Sequence, residues 1–255
     1  MIATLPVGFN NINAHHSEHR FHSSKQLFAN GFSGGRSFIF DLKDPTIPKL
    51  KTNFTNINEF TFPHSFERLP NGNVLATFQT IGQENKKEGG LVELDSNGKF
   101  VRSAIASDPD IADFIRPYSL AILPKINRVV STSADMKEAD HSNVIQVWRL
   151  SDLSLIKTIV LEPGPRGNEH LDPAEPRVLI DGKTVLISTF YCGLYKIDDI
   201  ESDNPSAKWV YTFEFNQKYD CAIPVVSENY WIQALGSKTA LVSLDISNPN
   251  APKKV

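Results

Sequence analysis

Seven histidines are unevenly spread over the 255 residues, and their spacing is the first sign of chemistry. Four fall in one run, His15-His16-Ser17-Glu18-His19-Arg20-Phe21-His22, and His64 begins a later strand-like stretch. Neutral imidazole is the commonest protein ligand for copper, zinc, iron and nickel, and near pH 7 much of it is already deprotonated. The candidate metal ligands are His15, His16 and His64. Strand geometry restricts that set. Neighbours in an extended segment point to opposite faces, so His15 and His16 reach one ion only through a turn, or through a helical twist that pairs His15 with His19. The plainer reading is a polar loop whose histidines only form hydrogen bonds.

Glu175 and Arg177 are the candidate catalytic pair, two apart and hence on one face of a strand over 173–180. They would orient a small substrate or a metal-bound water; the competing reading is an ion pair bracing the strand. Glu169-His170 and His141 fall in polar loops and read as exposed rim residues. Gly34-Gly35-Arg36 has no helix after it and reads as a hairpin turn, not a phosphate loop. Cys192 and Cys221 form no metal-type pair, and they are expected as two buried thiols, although sequence alone does not decide whether they bridge. Nucleophile-elbow, phosphate-loop and dinucleotide fingerprints are absent.

Elements that could position these residues recur at a fixed interval. Five short strands close at residues 41, 95, 150, 198 and 245, at intervals of 54, 55, 48 and 47. Before each comes a turn and another strand, with Asn71-Gly72 and Asp181-Gly182 supplying the positive φ of a tight hairpin. A repeat of that length is one four-stranded propeller blade. The expected fold is all-β: a single propeller domain over 1–255, about five four-stranded antiparallel blades, with a β-sandwich as the fallback. Both ends look cut, Met1–Pro6 reading as an outer strand, so the ring is expected to be incomplete and to bring positions 16, 64 and 175 around one axial opening.

Bulk properties narrow the function. Net charge is -3, and the 26 Lys and Arg are scattered, which argues against nucleic acid as a partner. No apolar run approaches the ~18 residues of a spanning helix. A small molecule, or a protein held on a propeller face, remains as partner.

Four stretches, taken in order, carry a family resemblance. The first is Ile2-Ala3-Thr4-Leu5-Pro6 running on to His15-His16-Ser17. The second is Phe40-Asp41-Leu42 with Asp44-Pro45-Thr46-Ile47-Pro48-Lys49-Leu50. The third is Pro63-His64-Ser65 with Gly72 and Gly89-Gly90-Leu91-Val92-Glu93-Leu94-Asp95. The fourth is Val147-Trp148 with Thr158-Ile159-Val160-Leu161 and then Glu175-Pro176-Arg177. Together they resemble the selenium-binding protein family, which includes methanethiol oxidases. The resemblance implies a propeller with a copper cofactor, zinc or no metal being the alternatives. It further implies a small thiol as substrate, methanethiol giving formaldehyde, hydrogen sulfide and hydrogen peroxide, and an extracytoplasmic home. One departure stands out. Where better-known members carry cysteines after the paired histidines, this chain has His22-Ser23-Ser24-Lys25, so selenium attachment is not carried over. Two other classes stay open: a non-catalytic binding propeller, and a transferase resembling arylsulfotransferases, which also pair a histidine with a Leu-Pro-Asn-Gly-Asn turn (here Leu69–Asn73).

Overall fold

Turn chemistry at Gly72 and Gly182 sets the local pattern from which the fold is built. Gly72 takes φ +88° and Gly182 φ +74°, conformations that a side chain rarely adopts. Around them Leu69 N–H donates to Asn73 O at 2.8 Å and Leu179 N–H to Thr184 O at 2.8 Å, closing two equivalent hairpins. The computed structural model describes residues 14–18, 24–31, 35–82, 87–111, 114–135, 141–214, 220–221, 223–236 and 238–255. The outer strand expected over Met1–Pro6, and His19, lie outside the described residues.

The chain divides into two compact units, Met1–Leu120 and Ala121–Val255. In the first, β1 (Ala14–Ser17), β2 (Gln26–Gly31), β3 (Arg36–Asp41) and β4 (Lys49–Phe54) form one sheet. A second contains β5 (Asn56–Ile57), β6 (Phe60–Arg68), β7 (Val74–Ile81), β8 (Gly90–Leu94) and β9 (Phe100–Ile105). The division falls within β10 (Pro117–Leu123), which continues into β11 (Arg128–Ser133), β12 (Val144–Arg149) and β13 (Leu155–Val160). Two further sheets follow: β14 (Pro173–Val178), β15 (Val185–Thr189), β16 (Gly193–Asp198) and β17 (Ser206–Thr212), then β18 (Val225–Ser227), β19 (Tyr230–Leu235), β20 (Ala240–Asp245) and β21 (Lys253–Lys254).

Every sheet is a sequential meander, and the only helical turn among the described residues is Pro124–Ile126. This is the blade architecture of an all-β propeller. The five closing strands read from the sequence are β3, β8, β12, β16 and β20, each the third main strand of its blade. Burial follows position. β7 and β8 are almost wholly buried, whereas β9 alternates between exposed and half-buried residues. In four blades the register between third and fourth strands shifts, at Ile39/Phe40, Glu93/Leu94, Val147/Trp148 and Leu194/Tyr195. A bulge there raises the local twist, and its recurrence at one place in the repeat marks it as a blade feature.

Each unit has its own core. In the first, Phe28, Phe60, Phe66 and Phe78 pack with Ile39, Val74, Val92 and Leu94. In the second, one cluster is built on Val130, Ile145, Val147, Ile187 and Tyr195, and another on Leu194, Phe213, Trp231 and Leu244. Trp148 is a core aromatic as expected, its indole N–H donating to Ser131 Oγ at 2.9 Å.

Cys192 and Cys221 correct the expectation of two thiols. They form a disulfide, Cα to Cα 5.3 Å, between the turn before β16 and a residue bridged to Leu235 of β19. The pairing joins consecutive blades 29 residues apart, a proximity that no local sequence signal announces. In the chain-entropy description, closing a loop of that length stabilises by about 3–4 kcal/mol. The unfolding free energy from chemical denaturation is expected to fall by that amount when the protein is reduced or carries Cys221→Ser; an unchanged free energy contradicts the crosslink.

Candidate metal centre

Strand irregularity is what assembles the first unit's histidines. In β1, Ala14 faces Gly31 and Ser17 faces Ala29, so three steps on one strand match two on the other. In β6, Pro63 faces Phe78 and Phe66 faces Ala76, the same mismatch, with His64 and Ser65 inside it. A bulge breaks the alternation of side chains and re-aims one of them. His15 and His16 consequently stack face to face, ring centroids 4.6 Å apart and planes 6° apart. The divergence expected of neighbours in a regular strand does not arise, because the strand is irregular here; the bulge takes the place of the expected turn or twist.

His64 closes the group, its ring centroid 4.9 Å from that of His15 and 4.4 Å from that of His16. One ligand nitrogen from each of the three rings lies within 4.8 Å of the others. His16 and His64 are buried and His15 is exposed, so the cluster opens to solvent on one side. Tyr118, in β10, lies against the group with its ring 4.1 Å from His64 and 5.3 Å from His16.

Backbone and side-chain bonds hold this arrangement from behind. The His64 Nδ1 lies 2.6 Å from Tyr118 O. A carbonyl oxygen only accepts, so Nδ1 carries the proton and Nε2 is the lone-pair nitrogen. Ser65 N–H donates to Thr77 Oγ1 at 2.9 Å, and that hydroxyl donates on to Tyr118 O. Asn30 links the two strands: its Oδ1 accepts from His16 N–H at 2.6 Å, while its Nδ2 donates to His64 O at 2.7 Å and Pro63 O at 3.2 Å. Behind β1, the Glu18 carboxylate accepts two 2.8 Å bonds from the Arg68 guanidinium and one, also 2.8 Å, from Phe28 N–H. Both side chains are almost fully buried, so removing either strands a charge, at about 3–5 kcal/mol.

Asn30, Glu18, Arg68 and Tyr118 were not readable as site residues. Each acts through register with a distant strand, and a buried Asn or Glu carries no local signature. In the second unit, Glu175 and Arg177 share β14 and pair with each other at 2.7 Å, both largely buried. The Glu169 carboxylate is buried too, accepting from Arg166 N–H, Asn168 N–H and Thr212 Oγ1. His170 is half-buried, not the exposed rim residue expected.

Electrostatics favour an uncharged His64. Burial, then the adjoining His16 and His15 rings, holds the His64 imidazole well below its ordinary 6.5, against the opposing effect of its bond to Tyr118 O. His64 is therefore suited to act as a neutral ligand. Two nitrogens each about 2 Å from one ion stand ~3–4 Å apart, so the observed spacing needs only a small contraction.

No protein-family model matches this sequence, and no curated protein matches it. Among solved structures, a hypothetical selenium-binding protein from Sulfolobus tokodaii is similar over 98% of this chain and 65% of its own, with TM-score 0.75 and 16% identity. The periplasmic gluconolactonase of Pseudomonas aeruginosa aligns over 94% and 70%, with TM-score 0.65 and 11% identity. A catalytically inactive virginiamycin B lyase from Staphylococcus aureus, solved with quinupristin, aligns over 97% and 71%, with TM-score 0.63 and 11% identity. At these identities the likeness is one of fold. The chain spans 65% of the length of the Sulfolobus protein.

The His64 shift sets a pH dependence. Its folded value lies below the unfolded one, so below about pH 6.5 the unfolded chain takes up a proton that the folded chain does not. Stability of the chelator-treated protein is therefore expected to fall as pH drops from about 7 to about 5, and His64→Gln to flatten that slope. Urea midpoints across this range decide it; equal slopes in parent and variant contradict the assignment.

Proposed function

We propose that this chain is a selenium-binding-protein-like propeller whose His15, His16 and His64 hold copper for the oxidation of a small thiol, in the manner of a methanethiol oxidase. The observation that supports it is the meeting of three imidazoles from two bulged strands, one of them fixed by a carbonyl at Nδ1 so that Nε2 is its basic nitrogen. A three-imidazole set suits copper, with zinc the alternative. Copper, when bound, would supply the one-electron chemistry that oxidation by oxygen requires.

The chain's own residues would do the rest. His64 and His16 lie on the buried side, where water is excluded; His15 lies at the open side, where a thiol would approach. Asn30 and Tyr118 O keep His16 and His64 from rotating away. Glu175 and Arg177 enter the reading as groups that orient the substrate; their mutual ion pair serves equally well as a brace for β14. The Cys192–Cys221 disulfide supports the expectation of an oxidising, extracytoplasmic home.

A second reading is a non-catalytic metal- or ligand-binding propeller, favoured by the variety of neighbours that share this fold. Metal analysis and oxygen uptake separate the two. The protein is expected to retain stoichiometric copper, to consume oxygen with methanethiol, and to lose both properties with His64→Ala. Copper retained without thiol-dependent oxygen uptake selects the binding reading, and full copper content in His64→Ala removes the site. With Arg177→Gln, a turnover loss of about tenfold or more at unchanged copper content is expected of a substrate-orienting group. Unchanged turnover assigns the pair to the brace.

A further inference from the structure

His141 reads from the sequence as an ordinary exposed loop residue, and its surroundings in the second unit are not ordinary. Its Nδ1 lies 2.7 Å from Asp172 Oδ2, and its Nε2 lies 3.1 Å from the Tyr191 hydroxyl. The Asp172 side chain is 3% exposed and that of His141 is 30% exposed, so the carboxylate is sealed behind a ring that solvent reaches. An ionised carboxylate only accepts, which places the imidazole proton on Nδ1 and leaves Nε2 to take the phenolic proton. The order Asp–His–hydroxyl is that of a charge-assisted nucleophile, with a phenol in the place of an alcohol.

The three groups are held firmly. Asp172 N–H donates to Ser142 O at 2.7 Å, and Ser142 N–H returns a 3.0 Å bond to Asp172 Oδ1. Asp172 itself sits at φ 52°, a left-handed conformation that Asp tolerates better than most residues. Tyr191 is fixed from its far side. Arg166 donates to Tyr191 O at 2.9 Å and to Phe213 O at 3.1 Å, and the next residue, Cys192, takes φ 65° and is tied to Cys221. All three groups stand just outside strands β12, β14 and β15, on one set of loops. Such over-determined loop geometry is what preorganised sites use.

We propose that Asp172, His141 and Tyr191 form a second reactive site, independent of the histidine cluster, which takes a small neutral ester. Neutral is argued from Arg166, whose guanidinium is committed to the Tyr191 and Phe213 carbonyls and pairs with the Glu169 carboxylate. His141 and Tyr191 meet edge to face at 5.2 Å, so the group bonded to the phenol is an aromatic ring and not a cationic chain. In the step, His141 Nε2 accepts the phenolic proton while Tyr191 Oη bonds to the ester carbonyl carbon. The bond from that carbon to the leaving oxygen breaks, and its electron pair departs with the alkoxide or phenolate, which takes the proton from His141. Water then adds to the acyl-tyrosine; the carboxylic acid leaves and the phenol is restored.

The probe is p-nitrophenyl acetate, with the full chain in excess chelator so that a bound metal contributes nothing. Peptide mapping after a short exposure is expected to find the acetyl group on Tyr191. Tyr191→Phe and His141→Gln are expected to release p-nitrophenolate at least about a hundredfold more slowly. Asp172→Asn keeps the size of the side chain and tests positioning: nitrogen-15 NMR of His141 should move from the Nδ1–H to the Nε2–H form, with a loss of rate of similar size. Release by Tyr191→Phe within about twofold of the parent, or acetyl scattered over lysines with none on Tyr191, overturns the proposal. An Nε2–H tautomer in the parent overturns it as well.

Discussion

Asn30 is the constraint on which the first unit's site rests. One carboxamide, 2% exposed, satisfies the backbone of His16 with its oxygen and that of His64 with its nitrogen. Two bulged strands would otherwise leave polar backbone groups in a dry interior, at about 1–3 kcal/mol for each group left unmatched. The bulges present the imidazoles, and the amide makes the bulges affordable. Because β1 and β6 are thereby tied together at the point where both are irregular, the three rings keep one arrangement and do not sample many.

The same logic recurs further out. Glu18 and Arg68 form a charged pair buried beside Phe28, with the guanidinium 5.3 Å from that ring. Such a pair adds little net stability compared with an apolar pair of the same size, but neither partner can leave alone. It fixes where β1 lies against β6, and so fixes which residues of the histidine run can reach His64. In the second unit the Cys192–Cys221 disulfide and Arg166 restrain the Tyr191 turn in a comparable way. Both units invest buried polar bonds where a reactive side chain must not wander.

Much of the architecture was legible in the sequence. Strand alternation, the Asn71-Gly72 and Asp181-Gly182 turns and the near-fifty-residue interval are local properties, and they located every third strand to within a residue or two. The residue types of the histidine group were legible as well, but its geometry was not. A bulge is a relation between two strands, one at Ala14–Ser17 and the other at Gln26–Gly31, and nothing in His15-His16 by itself announces it. The disulfide and the Asp172–His141–Tyr191 chain escaped for the same reason: their bonded members meet only where blade loops do, 29 residues apart for Cys192 and Cys221, 31 for His141 and Asp172 and 50 for His141 and Tyr191. Glu175 and Arg177 were legible as a same-face pair, and they do lie on one strand, bonded to each other.

X-ray absorption at the copper edge tests the central claim most directly, since it sees only the ligands of the ion. For copper-loaded protein the arrangement predicts first-shell nitrogen at about 2.0 Å with the outer-ring scattering of imidazoles. That pattern should weaken when His16 is replaced by alanine. A sulfur shell, or oxygen ligands with no imidazole signature, would mean that the ion sits elsewhere and that the three rings meet for structural reasons alone.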